Sequence, residues 1–425
     1  MKHYDRCSPR SRGCFRPRGH DGHGKPVFPA HAGVFSSHIA LAAAGAALGC
    51  IAWGDRPQAL GYAPVLAVLW AMAPTRAGAF AAALTYYAGA SRGIPAGAAI
   101  FFGDEASLLA GTALWLAASA ALAAPWAVFW PKHGKGIAWR LSAALLAVSL
   151  PPIGIVGWAN PLTAAGALLP GTKWAGLLVV WLQMIAFGIV AAQRINARHA
   201  ALLALCIGAI AVTAEADGSH YQAPTAPVTG IDTRIPKSQF DSQDFLTAYW
   251  NHQALLAIAW QHAGEAAVLL PESVAGLWQN SAAALWERQK DSLPPVTFAG
   301  ALEPAERGYS NTIVAITPAG SRIVYRQRLP VPVGMWRPWR PGFAVAHLRG
   351  RGTFDLDGTR YGALICYEQL MFWPVVQTFA EKPGVVLAPA NSWWSKNTSI
   401  PGIQKSVMAT WARLFDVPVA TSHNF

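Results

Sequence analysis

Residues 363–368 read Ala363-Leu364-Ile365-Cys366-Tyr367-Glu368. An apolar run passes without a spacer into a thiol, a phenol and a carboxyl. This is the pattern of a strand that ends in reactive groups, where a rigid sheet holds them at a crevice along its edge. Asp357-Gly358 just upstream is a turn signal that opens the strand. Two further segments share the pattern, Leu269-Leu270-Pro271-Glu272-Ser273 and Val324-Tyr325-Arg326-Gln327-Arg328. Working outward from them, strands are expected near 228–231, 267–270, 296–301, 311–317, 322–329, 360–366, 384–389 and 417–422. Helices are expected near 242–263, 369–381 and 402–415, the first with Phe245, Tyr249, Leu255 and Trp260 among its apolar positions. Strands alternating with helices and hairpins predict an α/β layered domain over 224–425.

Cys366 is the lone thiol of that half; Cys7, Cys14, Cys50 and Cys206 all lie N-terminal to it. A disulfide framework is therefore excluded there. Spacing alone leaves two readings of Cys366: a small buried core residue, or a covalent nucleophile served by a nearby carboxylate and a cationic or amide donor. No metal-ligand spacing and no Gly-rich phosphate loop occurs in this half, so neither metal nor cofactor is expected.

The N-terminal half has a different composition. Of 425 residues, 53% are hydrophobic and 13% charged, about half the usual charged fraction of roughly 25%. Mean hydropathy is +0.28. Disordered chains are excluded by this composition, and a membrane-embedded part joined to a soluble part is implied. Residues 1–33, rich in Arg, Gly, Pro and His, read as a disordered basic arm. Apolar spans are expected near 34–53, 58–74, 77–102, 106–130, 138–158, 174–192 and 199–214, giving about seven transmembrane helices over 34–214. With the arm in the cytoplasm, Arg76, Lys132, Lys135, Arg140, Arg194 and Arg198 fall inside, Asp104, Glu105, Glu215 and Asp217 fall outside, and only Arg56, Arg92 and Lys173 sit on or near the outer side. This positive-inside bias exports the C-terminal half. The Pro- and Gly-rich segment 151–171 reads either as a loop over the outer mouth of the bundle or as a plain connector. The net charge of +12 resides in the arm and the apolar half, so direct nucleic-acid binding is not expected.

Taken together, Pro271-Glu272, the Tyr325 strand followed by Val331-Pro332-Val333-Gly334, and Ile365-Cys366-Tyr367-Glu368 resemble the nitrilase, or carbon–nitrogen hydrolase, superfamily. Gly230-Ile231-Asp232-Thr233-Arg234-Ile235-Pro236, Gly308-Tyr309-Ser310-Asn311-Thr312 and Asn391-Ser392-Trp393-Trp394 extend the likeness. Membrane spans followed by such a domain resemble apolipoprotein N-acyltransferase. The version here, with Arg326-Gln327-Arg328-Leu329-Pro330 and Trp336-Arg337-Pro338-Trp339, is most similar to the TraB family of plasmid conjugal-transfer systems.

The resemblance implies an αββα sandwich, shorter here at its C-terminal end, and a Glu–Lys–Cys triad in which Glu272 and Cys366 match. The Lys position falls on Gln327, and the acidic residue expected after Gly334 falls on Met335. Tyr367, Glu368, Asn391 and Trp393 would support the site. Gln327 brings no charge; a one-residue slip would instead turn Arg328 or Arg326 inward. Trp393 and Trp394 read as the lining of an acyl entry or as interfacial anchors. His423 and Asn424 lie where the family has amides near the site, and as terminal residues are candidates for fraying.

The implied activity is that of a Cys-dependent amidase or N-acyltransferase working through a thioester. Its partners would be membrane lipids, an acyl-donor lipid or amide substrate, and proteins of the conjugation machinery. The location would be the bacterial inner membrane, with the N-terminus cytoplasmic and the layered domain periplasmic. The competing reading is a catalytically weakened or inactive scaffold in the conjugation or envelope apparatus, favoured by Gln327 and Met335. A transporter is disfavoured, because the spans carry almost no interior ionisable residue.

Overall fold

The structure is a computed structural model that describes residues 30–103, 106–193 and 224–425. The arm 1–29, Asp104, Glu105 and the stretch 194–223, which includes the expected seventh span, lie outside the described residues.

The N-terminal region is helical. Its helices are Ala30–Ala52, Leu66–Met72, Arg76–Ala90, Ile94–Phe102, Ala106–Val128, Ile137–Ser149, Ala165–Leu168 and Trp174–Ala192, with 3-10 turns at Pro57–Val65, Ile153–Val156 and Pro161–Ala164. Among the described residues, two stretches are long and apolar enough to cross a membrane, Leu108–Val128 and Trp174–Ala192; Ser36–Ala52, Pro57–Met72 and Ile137–Ser149 are shorter. The span expected over 77–102, which Gly93 and Pro95 interrupt in the sequence, is two helices. Ser91, Arg92 and Gly93 break it, and the second piece restarts with Pro95 in its first turn, where proline's missing N–H costs nothing.

The C-terminal region is two β-sheets packed face to face with helices outside them. One sheet has the order β1 (Thr229–Gly230), β2 (Ala267–Leu269), β3 (Val296–Ala305), β4 (Gly308–Thr317), β5 (Gly320–Arg326), with β6 (Phe343–Ala344) beside β4. The other has the order β10 (Val419–Asn424), β9 (Val385–Asn391), β8 (Thr359–Ala363), β7 (Thr353–Leu356). The β7–β8 hairpin turns at Asp357 and Gly358, both at positive φ (49° and 77°), as a two-residue turn of this hand requires.

Side chains alternate between the two faces of each strand. Leu269, Phe298, Ile313, Val385 and Leu387 point between the sheets. Val268, Leu270, Ala299 and Val314 point outward, onto Leu255, Leu256 and Trp286 of the helices Phe245–Gln261 and Asn280–Gln289. Val386 and Ala388 point the other way, onto the helices Phe372–Ala380 and Ile400–Phe415. The result is the αββα sandwich expected from the sequence. Helix Phe245–Gln261 departs from expectation in one respect: Leu255 is buried, but Phe245, Tyr249 and Trp260 face outward.

Helix Ile400–Phe415 also joins the two regions. Its far face meets the N-terminal helices in the same apolar core that covers the second sheet. Trp174 packs edge-on to Phe415 at 4.9 Å. Backbone bonds run from Gly171 N to Arg413 O (2.7 Å) and from Lys173 N to Leu414 O (2.8 Å). Segment 151–171 thus lies between the regions. Gly166 sits where a Cβ would fall on the Thr410 carbonyl. Gly166→Val should therefore lower stability by about 1–3 kcal/mol through overpacking, read as a lower unfolding temperature of the purified chain. An unchanged midpoint would mean that this contact yields freely.

Candidate active site

Glu272, Gln327, Cys366, Asn391 and Asn424 all lie at or just past the C-terminal end of a strand (β2, β5, β8, β9 and β10). The sheets therefore deliver them to one edge. Two of the turns that follow are strained: Ser273 and Cys366 take φ of 59° and 48°, a region costly for residues with a Cβ. Below the first turn lies Gly300, where a Cβ would stand 2.6 Å from Glu272 Cα. Only glycine lets β3 run this close.

Glu272 is buried, 3% exposed. Its Oε1 accepts from Asn311 Nδ2 at 2.5 Å and its Oε2 from the Asn391 backbone N–H at 2.8 Å. The Cys366 thiol is its third hydrogen-bonding neighbour. Burial pushes the Glu272 carboxyl up to about 7, against those three hydrogen bonds. Burial and the Glu272 charge push the Cys366 thiol up as well. The pair therefore keeps the proton on sulfur while Glu272 titrates near neutrality, the condition a general base needs.

Gln327 occupies the position of the missing cation but is a brace. Its Nε2 donates to Ile365 O (3.0 Å) and its Oε1 accepts from Asn311 Nδ2 (3.1 Å). Neither arginine turns inward. Arg326 pairs with Glu303 at the surface. Arg328 is wholly buried on the other side of the cysteine turn, with its guanidinium directed to Tyr325, Gln377, Thr378 and Pro374 O. Its charge partner there is Glu368, at 3.5 Å. Glu368 also accepts from the backbone N–H groups of Arg328, Leu329 and Ile365 and from the Tyr325 hydroxyl. It holds the turn and does not touch the thiol.

A cavity of about 370 Å³ opens on the pair. Glu272, Cys366, Tyr367, Asn391 and Gln404 form one side, and Trp53, Ile94, Phe101, Leu114 and Trp115 of the helical region form the other. Trp393 stacks on Phe101 at 6.0 Å and Trp394 meets it edge-on, so both tryptophans wall the cavity. Tyr367 donates from its hydroxyl to Ile155 O across the regions. Far from fraying, His423 and Asn424 are fully buried, and Asn424 ties Thr233 and Ile235 to Asn391. Sequence reasoning missed the part played by Asn311, quoted only as a motif letter, and missed Gln404 altogether, since an amide in the first turns of a helix carries no spacing signal.

Residues 283–413 match the family model for carbon–nitrogen hydrolases. The chain is 35% identical over 396 residues to a conjugal transfer protein TraB of Agrobacterium fabrum, covering 89% of this chain and 90% of that one. It is 32% identical over 391 residues to a probable conjugal transfer protein TraB of Sinorhizobium fredii, covering 90% and 97%. Among solved structures, a CN-hydrolase superfamily protein from Xanthomonas campestris aligns at 19% identity, TM-score 0.33, over 46% of this chain and 75% of that one. An amidase from Nesterenkonia sp. aligns at 15% and 0.35, over 46% and 74%.

Two outcomes are expected from this geometry. Glu368→Gln leaves the Arg328 charge buried without its partner, so it should cost about 3–5 kcal/mol, measured by denaturant unfolding; a loss below about 1 kcal/mol would show that the clamp is dispensable. For Glu272, the folded value of about 7 lies above the ordinary 4.5. Its contribution to stability is therefore full below pH 4.5 and lost as pH rises through about 7. Glu272→Gln should flatten that part of the stability–pH curve; an unaltered slope would assign the titration elsewhere.

Proposed function

The chain belongs to the TraB family of conjugal transfer proteins, and from that membership we propose a conjugation-associated membrane protein whose nitrilase-like domain transfers acyl groups through Cys366. One observation carries the chemistry: a buried carboxylate–thiol pair in the wall of a cavity whose opposite wall is apolar helix. Glu272 takes the thiol proton as Sγ bonds to an acyl carbonyl carbon, and the π pair moves to the carbonyl oxygen. The tetrahedral species collapses, the carbonyl re-forms, and the bond to the leaving amine or alkoxide breaks. Glu272 returns its proton to that leaving group and a thioester remains on Cys366. An amine or water then attacks the thioester, and the thiolate leaves and regains its proton by the same route. The cavity's aromatic and aliphatic helical wall suits a lipid acyl chain as donor.

The membrane reading is supported by side chains that no part of the described chain covers: Ile39, Leu109, Leu146 and Leu182 are each about half exposed or more. It is supported also by charge. Arg76 and Lys132 line one recess with Thr75 and Ala192. Arg76 begins the helix whose other end, Ala90, reaches the active-site cavity. Arg76 and Lys132 thus lie at the end away from the layered domain, as they would in a bacterial inner membrane with the N-terminus cytoplasmic and the domain periplasmic, while Arg92 and Lys173 lie at the other end.

The brace role of Gln327 favours a second reading, in which the domain persists as a scaffold for the conjugation or envelope machinery. Intact mass of the purified protein separates the two. The enzyme reading expects an acyl group on Cys366 that hydroxylamine removes and that Glu272→Ala abolishes, formed at a rate that rises with pH through about 7 as the base ionises. A bare thiol after incubation with phospholipid and with amide donors, together with normal plasmid transfer by Cys366→Ala, would leave the scaffold.

A further inference from the structure

The cations near the site have other partners: Arg326 pairs with Glu303 and Arg328 with Glu368, while Lys237, which lines the cavity, lies 3.9 Å from Asp241 and over the Trp393 ring at 5.2 Å. Gln327 has both ends of its amide engaged away from the sulfur. A reactive thiol and any oxyanion formed on it nevertheless need donors. One side chain is placed to supply them. Gln404, in helix Ile400–Phe415, is 3% exposed and lines the cavity. Its Nε2 lies 3.1 Å from Cys366 O and 3.9 Å from Cys366 Sγ. An amide nitrogen has two hydrogens. One is used by the carbonyl, which fixes the donor to the strained turn, and the other is free for the sulfur side.

We propose that Gln404 is the neutral hydrogen-bond donor that serves the Cys366 sulfur, and the oxyanion formed on an acyl carbon attached to it, in place of a cation. The oxyanion half of this rests on the acyl-transfer reading; the sulfur half does not. A carbonyl oxygen on that carbon is two bonds from Sγ, within reach of a donor placed at this distance from the sulfur. Donors of this type are worth on the order of 100- to 1000-fold in rate. A neutral donor does less than a cation for both formation and breakdown of the acyl enzyme, so the thioester persists.

The test uses the full chain in detergent and iodoacetamide, a neutral reagent that needs no acyl donor. The alkylation rate of Cys366 is followed by peptide mass from about pH 6 to about pH 11 for the parent, Gln404→Leu and Gln404→Glu. Loss of a hydrogen bond to a charged sulfur should move the rising limb of Gln404→Leu up by about one pH unit with its plateau kept. Gln404→Glu, of the same size, should move it further in the same direction by repelling the thiolate. A uniform fall at every pH with the midpoint in place would reduce Gln404 to a scaffold for the turn and overturn the proposal, as would an unmoved or lowered midpoint in Gln404→Glu. Because alkylation does not depend on acyl transfer, a shifted limb in a protein that forms no thioester would sink the proposed enzyme and leave Gln404 as the donor to sulfur.

Discussion

The position of Cys366 depends on one buried carboxylate that never touches it. Glu368 gathers three backbone N–H groups, a tyrosine hydroxyl and a guanidinium. Two of those amides belong to the chain leaving β5 and one to the chain leaving β8, so a single side chain fastens the exits of two strands from opposite sheets. A charge can be held at such depth only if nearly all its lone pairs are used, and here they are. With that clamp closed, Cys366 is forced into its left-handed turn and its thiol is delivered to Glu272. Tyr325, Arg328 and Gln327 then follow as neighbours on one short piece of chain, the first two serving the clamp and the third bracing Ile365 above it.

Much of the layered domain could be read before the structure, because short continuous apolar runs that end in polar or turn residues mark strands buried on both faces. The strand-end position of Glu272 and Cys366 followed from the same pattern. What escaped was of another kind. Helix Asn280–Gln289 is largely polar and alanine, so no apolar period announced it. The outward Phe245, Tyr249 and Trp260 defeated the assumption that large apolar side chains mark the buried face; the buried face of that helix carries Asn251 and His252 beside Leu255, Leu256 and Ala259. In the helical region, by contrast, the break was legible, because Gly93 and Pro95 interrupt the apolar run at the point where Arg76–Ala90 gives way to Ile94–Phe102.

Partner choice was the least legible feature. Gln327, Asn311 and Gln404 are chemically similar amides, and nothing in a sequence says which of them braces, which bridges and which faces sulfur. That assignment comes from register: β4 brings Asn311 between Glu272 and Gln327, while a helix from the other side of the second sheet brings Gln404 over the cysteine. The family resemblance located the positions, and the substitution at the Lys position only acquires meaning once the surrounding amides are placed.

Helix Ile400–Phe415 is covered on one side by a sheet and on the other by the N-terminal helices. Neither half of the chain can finish its core without the other. This imposes an order on biogenesis. The apolar helices emerge from the ribosome first and wait with an unfilled face; the layered domain arrives last and closes both cores at once with its penultimate element. A copy whose C-terminal part failed to dock would keep two open apolar surfaces in place of one, a state that cellular quality control can recognise and remove.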